Sequence, residues 1–175
     1  MHTLFEKAKH IKAVICDLDG VLTPGNLLYG EQGELFKAFH CHDGFGLRLL
    51  MKVGIEVAII TTADTPIVTQ RMKALGIERV YTGQVSKIAA FEDLLKKLAL
   101  APEQVAMIGD DWPDLPLLER SGLAIAVANA VLAVKQTADW VTTQTGGNGA
   151  VREVCDLILD AQELTASLID AYRTT

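Results

Sequence analysis

Residues 13–23 read AVICDLDGVLT, and this stretch gives the clearest indication of the fold class. Its first four residues are apolar and continuous, as in a strand of a parallel sheet that is buried on both faces. Two acids, Asp17 and Asp19, and the turn-forming Gly20 follow where that strand would end. In open α/β sheets, ligands bind beyond the carboxyl ends of the strands. The stretch therefore predicts both the first strand of an α/β sheet and one side of a polar site.

Outward from this stretch, short apolar runs alternate with segments of helical periodicity. Such alternation is typical of a doubly wound, Rossmann-like α/β fold with a mostly parallel sheet. The predicted strands are Ala13–Cys16, Val57–Ile60, Val80–Tyr81, Val105–Ile108 and Ala124–Val127. The predicted helices are Gly44–Val53, Pro66–Leu75, Ser86–Leu98, Leu115–Arg120 and Ala150–Leu168.

One segment interrupts the alternation directly after the first strand. The runs Leu27–Tyr29 and Glu34–Phe39 flank a turn-prone stretch, Gly30–Gly33, and predict a β-hairpin at about residues 24–39. The sequence has no internal repeat or linker, so residues 1–175 are expected to form a single domain. The C-terminal tail, about residues 163–175, is expected to be loosely held, as termini often are.

Composition excludes several classes of protein. The net charge is −6 and no basic cluster is present, which argues against a nucleic-acid partner. No apolar run reaches the length of a membrane span, and the N-terminus does not have the pattern of a signal peptide. The three cysteines form no metal-binding spacing and are odd in number, so they indicate reduced thiols in a cytoplasmic protein.

Polar side chains follow the predicted strands at the ends where a ligand would bind. Paired carboxylates repel each other unless a cation lies between them, and Mg²⁺ prefers such hard oxygen ligands. Each acid alone could instead cap a helix or favour its first turn. Their coincidence at several strand ends favours a catalytic site. The residues concerned are Asp17, Asp19, Thr61, Lys87, Asp110, Asp111 and Asp114.

The segments DLDGVLT and GDDWPD, with Thr61 and Lys87 between them, resemble the four motifs of the haloacid dehalogenase superfamily in the order of that family. The resemblance implies a phosphatase in which Asp17 attacks phosphorus and becomes an aspartyl phosphate. It also implies that Asp17, the backbone carbonyl of Asp19, and Asp110 hold Mg²⁺. A carboxylate nucleophile divides a difficult displacement into two easier steps, and the cation neutralises repelling charge.

The other motif residues acquire roles through the same resemblance. Asp19 is the expected general acid and base, while Thr61 and Lys87 are expected to bind the phosphoryl oxygens. Asp111 and Asp114 are expected to orient metal-bound waters and Lys87 rather than to contact the metal.

Neither gap between the motifs is long enough for a cap domain, so an isolated site would stay open to solvent. We therefore expect a homo-oligomer whose hairpin and tail help to cover a neighbouring site. Longer stretches, at residues 33–50, 54–61, 81–111 and 146–159, resemble the capless 3-deoxy-D-manno-octulosonate 8-phosphate phosphatases of lipopolysaccharide synthesis. That resemblance implies a sugar-acid phosphate substrate and a homotetramer. Phosphatases for nonulosonate 9-phosphates share much of this pattern.

The same resemblance indicates residues that contact the substrate, some of which have simpler explanations. The glycine-rich loop could be a plain turn, and Arg48 could belong to a solvated helix face. The candidates are Lys37, Asp43, Gly44, Arg48, Gly146, Gly147 and Asn148. Two departures from the family pattern remove positive charge. After Thr61 the family typically continues Gly-Arg, whereas this chain reads Thr62, Ala63 and Asp64, and Asn148 stands where Arg is common.

Three other functions remain open from the sequence. The chain could hydrolyse another small phosphate ester with the same chemistry. It could be a catalytically inactive oligomerisation module, although such a module would be expected to lose its acids. A flavodoxin-like receiver domain also gathers acids and a lysine around Mg²⁺, but its phosphorylated Asp follows the third strand and not the first.

Overall fold

The computed structural model describes residues 2–174 and shows a parallel sheet of six strands flanked by helices. A separate antiparallel pair forms the hairpin. The strands are β1 (Ala13–Cys16), β2 (Leu28–Gly30), β3 (Gly33–Phe36), β4 (Glu56–Ile60), β5 (Arg79–Tyr81), β6 (Val105–Gly109), β7 (Leu123–Ala126) and β8 (Trp140–Val141). The order across the sheet is β5-β4-β1-β6-β7-β8, and every neighbouring pair is parallel. The predicted fold class is confirmed.

Eight α-helices and two short 3₁₀ turns complete the described chain. The helices are α1 (His2–Lys9), α2 (Cys41–Lys52), α3 (Pro66–Leu75), α4 (Lys87–Leu98), α5 (Leu115–Leu118), α6 (Leu132–Thr137), α7 (Ala150–Ala161) and α8 (Thr165–Arg173). The 3₁₀ turns are Pro102–Gln104 and Trp112–Asp114. Among the described residues, no helix combines the length and the hydropathy that a membrane span requires.

The predicted helix Ala150–Leu168 is wrong as a single helix. It ends at Ala161 and a second helix begins at Thr165, because Glu163 adopts a left-handed conformation with φ of 60°. The tail that we expected to be loosely held is mostly the helix α8. Leu168 of α8 is buried, and the Tyr172 ring packs edge-on against Phe45 of α2.

The parallel register brings the polar residues to one edge of the sheet. The central strand β1 pairs with β4 on one side and with β6 on the other. Cys16 lies opposite Ile59 in β4 and Ile108 in β6, so the residues that follow these strands emerge together. All four residues of β1 are fully buried, and the Asp17 N–H donates to the Ile108 carbonyl at 3.0 Å. The sheet thus fixes the backbone of the first acid.

The hairpin lies outside this core, and its burial pattern is unusual. Its large apolar side chains are exposed, whereas the side chain of Lys37, just after β3, is only 2% exposed. Long charged side chains normally occupy the surface, and apolar ones the interior. The hairpin therefore directs its charge inward and presents apolar groups outward: Leu27, Leu28, Tyr29, Leu35 and Phe36.

Candidate active site

A buried ion pair lies at the carboxyl end of the central strand. Asp17 follows β1, and Lys87 is the first residue of α4; the structure brings them together across 70 residues of sequence. Lys87 Nζ donates to Asp17 Oδ1 at 2.7 Å and to Asp114 Oδ1 at 2.7 Å. Burial lowers the pKa of Lys87, but these two carboxylates outweigh that effect and raise it above its usual value. Lys87 is therefore a fixed cation beside Asp17.

The carboxylate of Asp114 accepts hydrogen bonds from Lys87 and from the backbone of Asp110. While one oxygen accepts from Lys87, the other accepts the backbone N–H of Asp110 at 2.9 Å. Its side chain is 1% exposed. Both carboxylate oxygens are thus engaged, and the expected role of Asp114, which is to orient Lys87 without binding a metal directly, stays a prediction.

Three carboxylates nevertheless meet here. Asp17, Asp110 and Asp114 each offer an oxygen, and these oxygens lie within 4.8 Å of one another. Asp110 Oδ1 is buried and has no hydrogen-bond partner among the residues that the structure describes. An uncompensated buried carboxylate oxygen is costly, and a divalent cation with oxygen ligands would remove that cost.

The acidic cluster has a strong electrostatic signature. Burial raises the pKa of Asp110 to about 7, with further contributions from Asp17 and Asp114. Burial and Asp114 raise the pKa of Asp17 to about 6, while Lys87 opposes the shift. A further positive charge nearby would therefore stabilise the ionised form of both carboxyl groups. The free oxygens of Asp17 and Asp110 fit a Mg²⁺ ion.

Gly20 allows the loop after β1 to contact the acid after β6. Its φ is 90°, a conformation that L side chains rarely adopt, and a Cβ there would overlap Asp110 Oδ2. A glycine is therefore required at this position for two reasons: the turn has a positive φ, and the Asp110 carboxylate leaves no space for a side chain.

Asp19 is held apart from the three-carboxylate cluster. Thr23 Oγ1 donates to Asp19 Oδ1 at 3.2 Å, and Lys37 Nζ donates to both Asp19 oxygens at 2.8 Å. Thr23 Oγ1 also accepts the N–H groups of Gly20 and Gly25. The Asp19 carboxylate is thereby oriented from two sides, and metal binding through its backbone carbonyl stays a prediction.

Thr61 and Asp111 occupy less central positions. Thr61 follows β4, is 1% exposed, and accepts the Ala63 N–H through its hydroxyl oxygen at 3.1 Å. The hydroxyl proton is therefore free to point to an anion. Asp111 is exposed, and its carboxylate accepts the Trp112 N–H at 2.8 Å, so it caps the turn Trp112–Asp114. Its expected role in orienting metal-bound water stays a prediction.

Two of the expected substrate contacts are structural residues here. Asp43 is 1% exposed, and its oxygens accept the N–H groups of Gly149 at 3.2 Å and Arg152 at 2.8 Å. It therefore links α2 to the first turn of α7, and its role as a substrate contact stays a prediction. Gly44 is buried, and a Cβ there would meet Arg71 and Leu75 of α3, so it permits close helix packing.

Arg48 and Lys37 also differ from an open substrate contact. Arg48 is exposed on α2, about two turns beyond the helix start that faces the site. Lys37 is buried against two carboxylates, Asp19 at 2.8 Å and Glu34 at 2.6 Å. These positions neither establish nor contradict binding of the substrate. The roles of Arg48 and Lys37 as substrate contacts stay predictions.

The glycine-rich loop supports the loop that carries Asp17 and Asp19. A Cβ at Gly146 would overlap the Gly20 carbonyl, and one at Gly147 would overlap the backbone of Thr23 and Pro24. The Gly147 N–H donates to the Val21 carbonyl at 2.8 Å. These glycines are therefore needed for close backbone contact. The neighbouring Asn148 is exposed, and its amide donates to Thr145 and Gly146.

Sequence reasoning missed three residues that organise the site. Thr23 is the last residue of the first motif, DLDGVLT, so its place in that motif could have identified it as a site residue. Glu34 pairs with Lys37, and Asn129 Oδ1 accepts the Gly146 N–H at 2.8 Å. No local pattern identifies either of these two, because their partners depend on the tertiary fold.

Comparison with known proteins agrees with this geometry. A family model described as haloacid dehalogenase-like hydrolase matches residues 52–154. The 3-deoxy-D-manno-octulosonate 8-phosphate phosphatase KdsC of Escherichia coli K12 is 51% identical over 156 residues, covering 89% of this chain and 83% of that protein.

Solved structures give the same result. The enzyme of that name from Moraxella catarrhalis, in complex with a magnesium ion, a phosphate ion and KDO, is 43% identical. Its TM-score is 0.95, with 98% of this chain and 99% of that chain covered. The cobalt-bound phosphatase from Haemophilus influenzae is 44% identical with a TM-score of 0.88, covering 90% of this chain and 92% of that one. The chain therefore belongs to the haloacid dehalogenase-like hydrolases, in the group of the 3-deoxy-D-manno-octulosonate 8-phosphate phosphatases.

Proposed function

We propose that this chain is a Mg²⁺-dependent phosphatase that hydrolyses 3-deoxy-D-manno-octulosonate 8-phosphate to the free sugar acid and phosphate. The observation that carries the proposal is the arrangement around Asp17: a buried carboxylate with Lys87 at 2.7 Å and, nearby, an Asp110 oxygen that has no hydrogen-bond partner in the described part of the chain. With three carboxylates and one ammonium, such a site favours a further cation, which would in turn attract the phosphate ester. The 51% identity to a phosphatase of that specificity supports the choice of substrate.

The first half-reaction transfers the phosphoryl group to Asp17. An Asp17 oxygen forms a bond to phosphorus as the bond from phosphorus to the sugar oxygen breaks. Asp19 gives its proton to the departing oxygen, so the sugar leaves as a neutral alcohol. Lys87 and the Thr61 hydroxyl stabilise charge on the phosphoryl oxygens.

The second half-reaction restores the enzyme. Asp19 takes a proton from a water molecule, whose oxygen bonds to phosphorus as the bond to Asp17 breaks. Phosphate then leaves, and Asp19 is again protonated for the next turnover. Asp17 and Asp110, with the Asp19 carbonyl, would hold the Mg²⁺ ion, which supplies positive charge where anionic nucleophile and phosphate meet.

The exposed apolar side of the hairpin supports a homo-oligomer, for which we propose a tetramer. Five large apolar side chains there are 42–68% exposed, an unfavourable state for an isolated chain. The site has no cap domain, so a neighbouring hairpin or tail would exclude water from it. Light scattering at assay concentration tests this, and an active monomer would refute it.

All three cysteines are free thiols, which supports the proposed cytoplasmic location.

The experiment that tests the function is phosphate release from 3-deoxy-D-manno-octulosonate 8-phosphate, with Mg²⁺ or EDTA. A panel containing nonulosonate 9-phosphates and simple sugar phosphates provides the comparison, and Asp17→Asn is the inactive control. We expect Mg²⁺-dependent release that favours the octulosonate ester. Preference for another ester would keep the chemistry and reject the substrate, whereas no release from any ester would favour the inactive oligomerisation module.

A further inference from the structure

Among residues 2–174, one charged contact joins the hairpin to the loop after β1: the contact between Lys37 and Asp19. Lys37 is the single residue between positions 24 and 40 that is buried, in a segment whose leucines are exposed. Its ammonium lies 2.8 Å from both oxygens of Asp19. Burying a lysine costs free energy unless its charge is paired, so this inward placement requires its partners.

The pairing has the geometry of a clamp. Two equal distances mean that Lys37 faces the Asp19 carboxylate symmetrically, while the Thr23 hydroxyl contacts Oδ1 at 3.2 Å from another direction. Together they restrict rotation of the carboxylate about its side-chain bonds. Efficient proton transfer needs a donor held within hydrogen-bond reach of the reacting oxygen.

Glu34 completes the arrangement. Its Oε1 lies 2.6 Å from Lys37 Nζ, and its side chain is 8% exposed. The lysine charge is thus shared between two carboxylates, so Lys37 can orient Asp19 without leaving excess positive charge beside it. Glu34 and Lys37 both come from the hairpin, whereas Asp19 and Thr23 come from the loop after β1.

We propose that Lys37, held by Glu34, is a positioning residue that fixes the Asp19 carboxyl group for proton transfer to the leaving oxygen. The inference rests on the proposed function, because it assigns the hairpin a part in the same reaction. It differs from a substrate contact: Lys37 acts through Asp19 and does not select the ester. The hairpin is then a component of catalysis as well as an apolar surface.

The test is the dependence of kcat/KM on the leaving group across phosphate esters, from activated aryl phosphates to an alkyl ester. This constant covers only the steps up to loss of the leaving group, so hydrolysis of the aspartyl phosphate does not contribute. Poor leaving groups need a proton from Asp19, and activated phenols do not. Lys37→Met keeps the aliphatic stem and removes the charge.

We expect Lys37→Met to lose about 10²-fold in kcat/KM on the alkyl ester, the usual contribution of general acid catalysis, but little on the most activated aryl ester. In Lys37→Met, kcat/KM should depend steeply on the pKa of the leaving group, as it should in Asp19→Asn. The double variant of Lys37→Met and Asp19→Asn should have the same kcat/KM as Asp19→Asn alone. Lys37→Arg should recover part of the loss. Lys96→Met, an exposed lysine at the far end of α4, is the matched control and should behave as wild type.

An equal loss on all esters in Lys37→Met, with unchanged dependence on the leaving group, would overturn the proposal and indicate a structural or substrate-binding role. Additive losses in the double variant would also overturn it. The failure of the proposed function looks different: a wild-type chain that hydrolyses no phosphate ester removes both, whereas an active wild type with an unchanged slope in Lys37→Met removes only this inference.

Discussion

Lys87 Nζ lies 2.7 Å from Asp17 Oδ1, and the lysine side chain that makes this contact is 1% exposed. Asp17, the proposed nucleophile, therefore has a cation beside it even before a metal or substrate arrives. Lys87 also contacts Asp114 at 2.7 Å, so one ammonium separates two buried acids. Removing that charge affects both catalysis and folding.

Lys87→Met should reduce kcat about 10²–10³-fold, as expected when one preorganised donor to a developing anion is lost. The metal-free variant should also lose about 3 kcal/mol of unfolding free energy, because Asp17 and Asp114 stay buried without their partner. Urea denaturation with and without Mg²⁺ measures the second effect. We expect Mg²⁺ to recover part of the loss, and an unchanged metal-free stability would show that Lys87 does not compensate these acids.

Gly20→Ala should weaken Mg²⁺ binding at least about 10-fold, because the new Cβ overlaps Asp110 Oδ2 and displaces a metal ligand. Gly54→Ala is the matched control: φ is 84° there, close to the 90° of Gly20, but a Cβ would meet nothing within 4 Å. This control shows the effect of backbone strain alone, which should lower the free energy of unfolding by about 1 kcal/mol. Titration calorimetry compares the two, and equal Mg²⁺ affinity in both variants would contradict the role of Gly20.

Mg²⁺ affinity should rise as pH increases from about 5 to about 8. The pKa of Asp17 is raised to about 6 and that of Asp110 to about 7 without metal, so protons compete with the cation in this range. Calorimetry in buffers of different ionisation enthalpy should detect protons released on binding. Binding without proton release at pH 6 would contradict the raised pKa values.

The same shifts predict how pH affects the metal-free fold. A carboxyl group whose pKa is raised on folding binds more protons in the folded state than in the unfolded state between the two pKa values. Unfolding free energy from these groups therefore falls as pH rises from about 4 to about 7, and Mg²⁺ should reverse that fall. Denaturant titrations across this range with and without Mg²⁺ measure both trends; a metal-free stability contribution that rises with pH, lost in Asp110→Asn, would contradict the sign.

Asn148→Arg should lower KM for the sugar-acid phosphate several-fold. Asn148 is exposed beside the loop that supports Gly20, and an arginine there would restore a cation that the family pattern has. A charge-assisted hydrogen bond to a substrate carboxylate is worth about 1.5–3 kcal/mol at most. Gln70→Arg, on an exposed position of α3, adds the same net charge away from this loop. Equal changes in both variants, or a similar gain on esters without a carboxylate, would indicate general electrostatic attraction.

The sequence was informative about the site because the acidic residues and Lys87 lie in short local motifs next to the predicted strands and helices. Strands buried on both faces have continuous apolar runs, so β1 and β6 were recognisable, and the acids that follow them had to meet at one sheet edge. Pro66 and Gly76 marked the ends of α3 by their backbone preferences, and that helix was predicted with its observed bounds.

Other features depend on contacts that local patterns do not encode. Asp43 accepts N–H groups from residues more than 100 positions away, and nothing in its surroundings in sequence distinguishes such a helix-binding role from substrate contact. The helix break at Glu163 uses a left-handed residue other than glycine, so the usual signal was absent. The inward direction of Lys37 follows from how the hairpin docks, which periodicity does not determine.

The most direct test of the account is to trap the phosphorylated residue. Borohydride added during turnover of the Mg²⁺-loaded enzyme converts an acyl phosphate to homoserine, and peptide mass mapping then locates it. We expect homoserine at position 17, and only with substrate present. In Asp19→Asn, an activated aryl phosphate, whose departure needs no proton from Asp19, should give more homoserine because the second half-reaction lacks its base. Continued hydrolysis with Asp17 unmodified, or homoserine at another acid, would contradict the assignment of Asp17 as nucleophile.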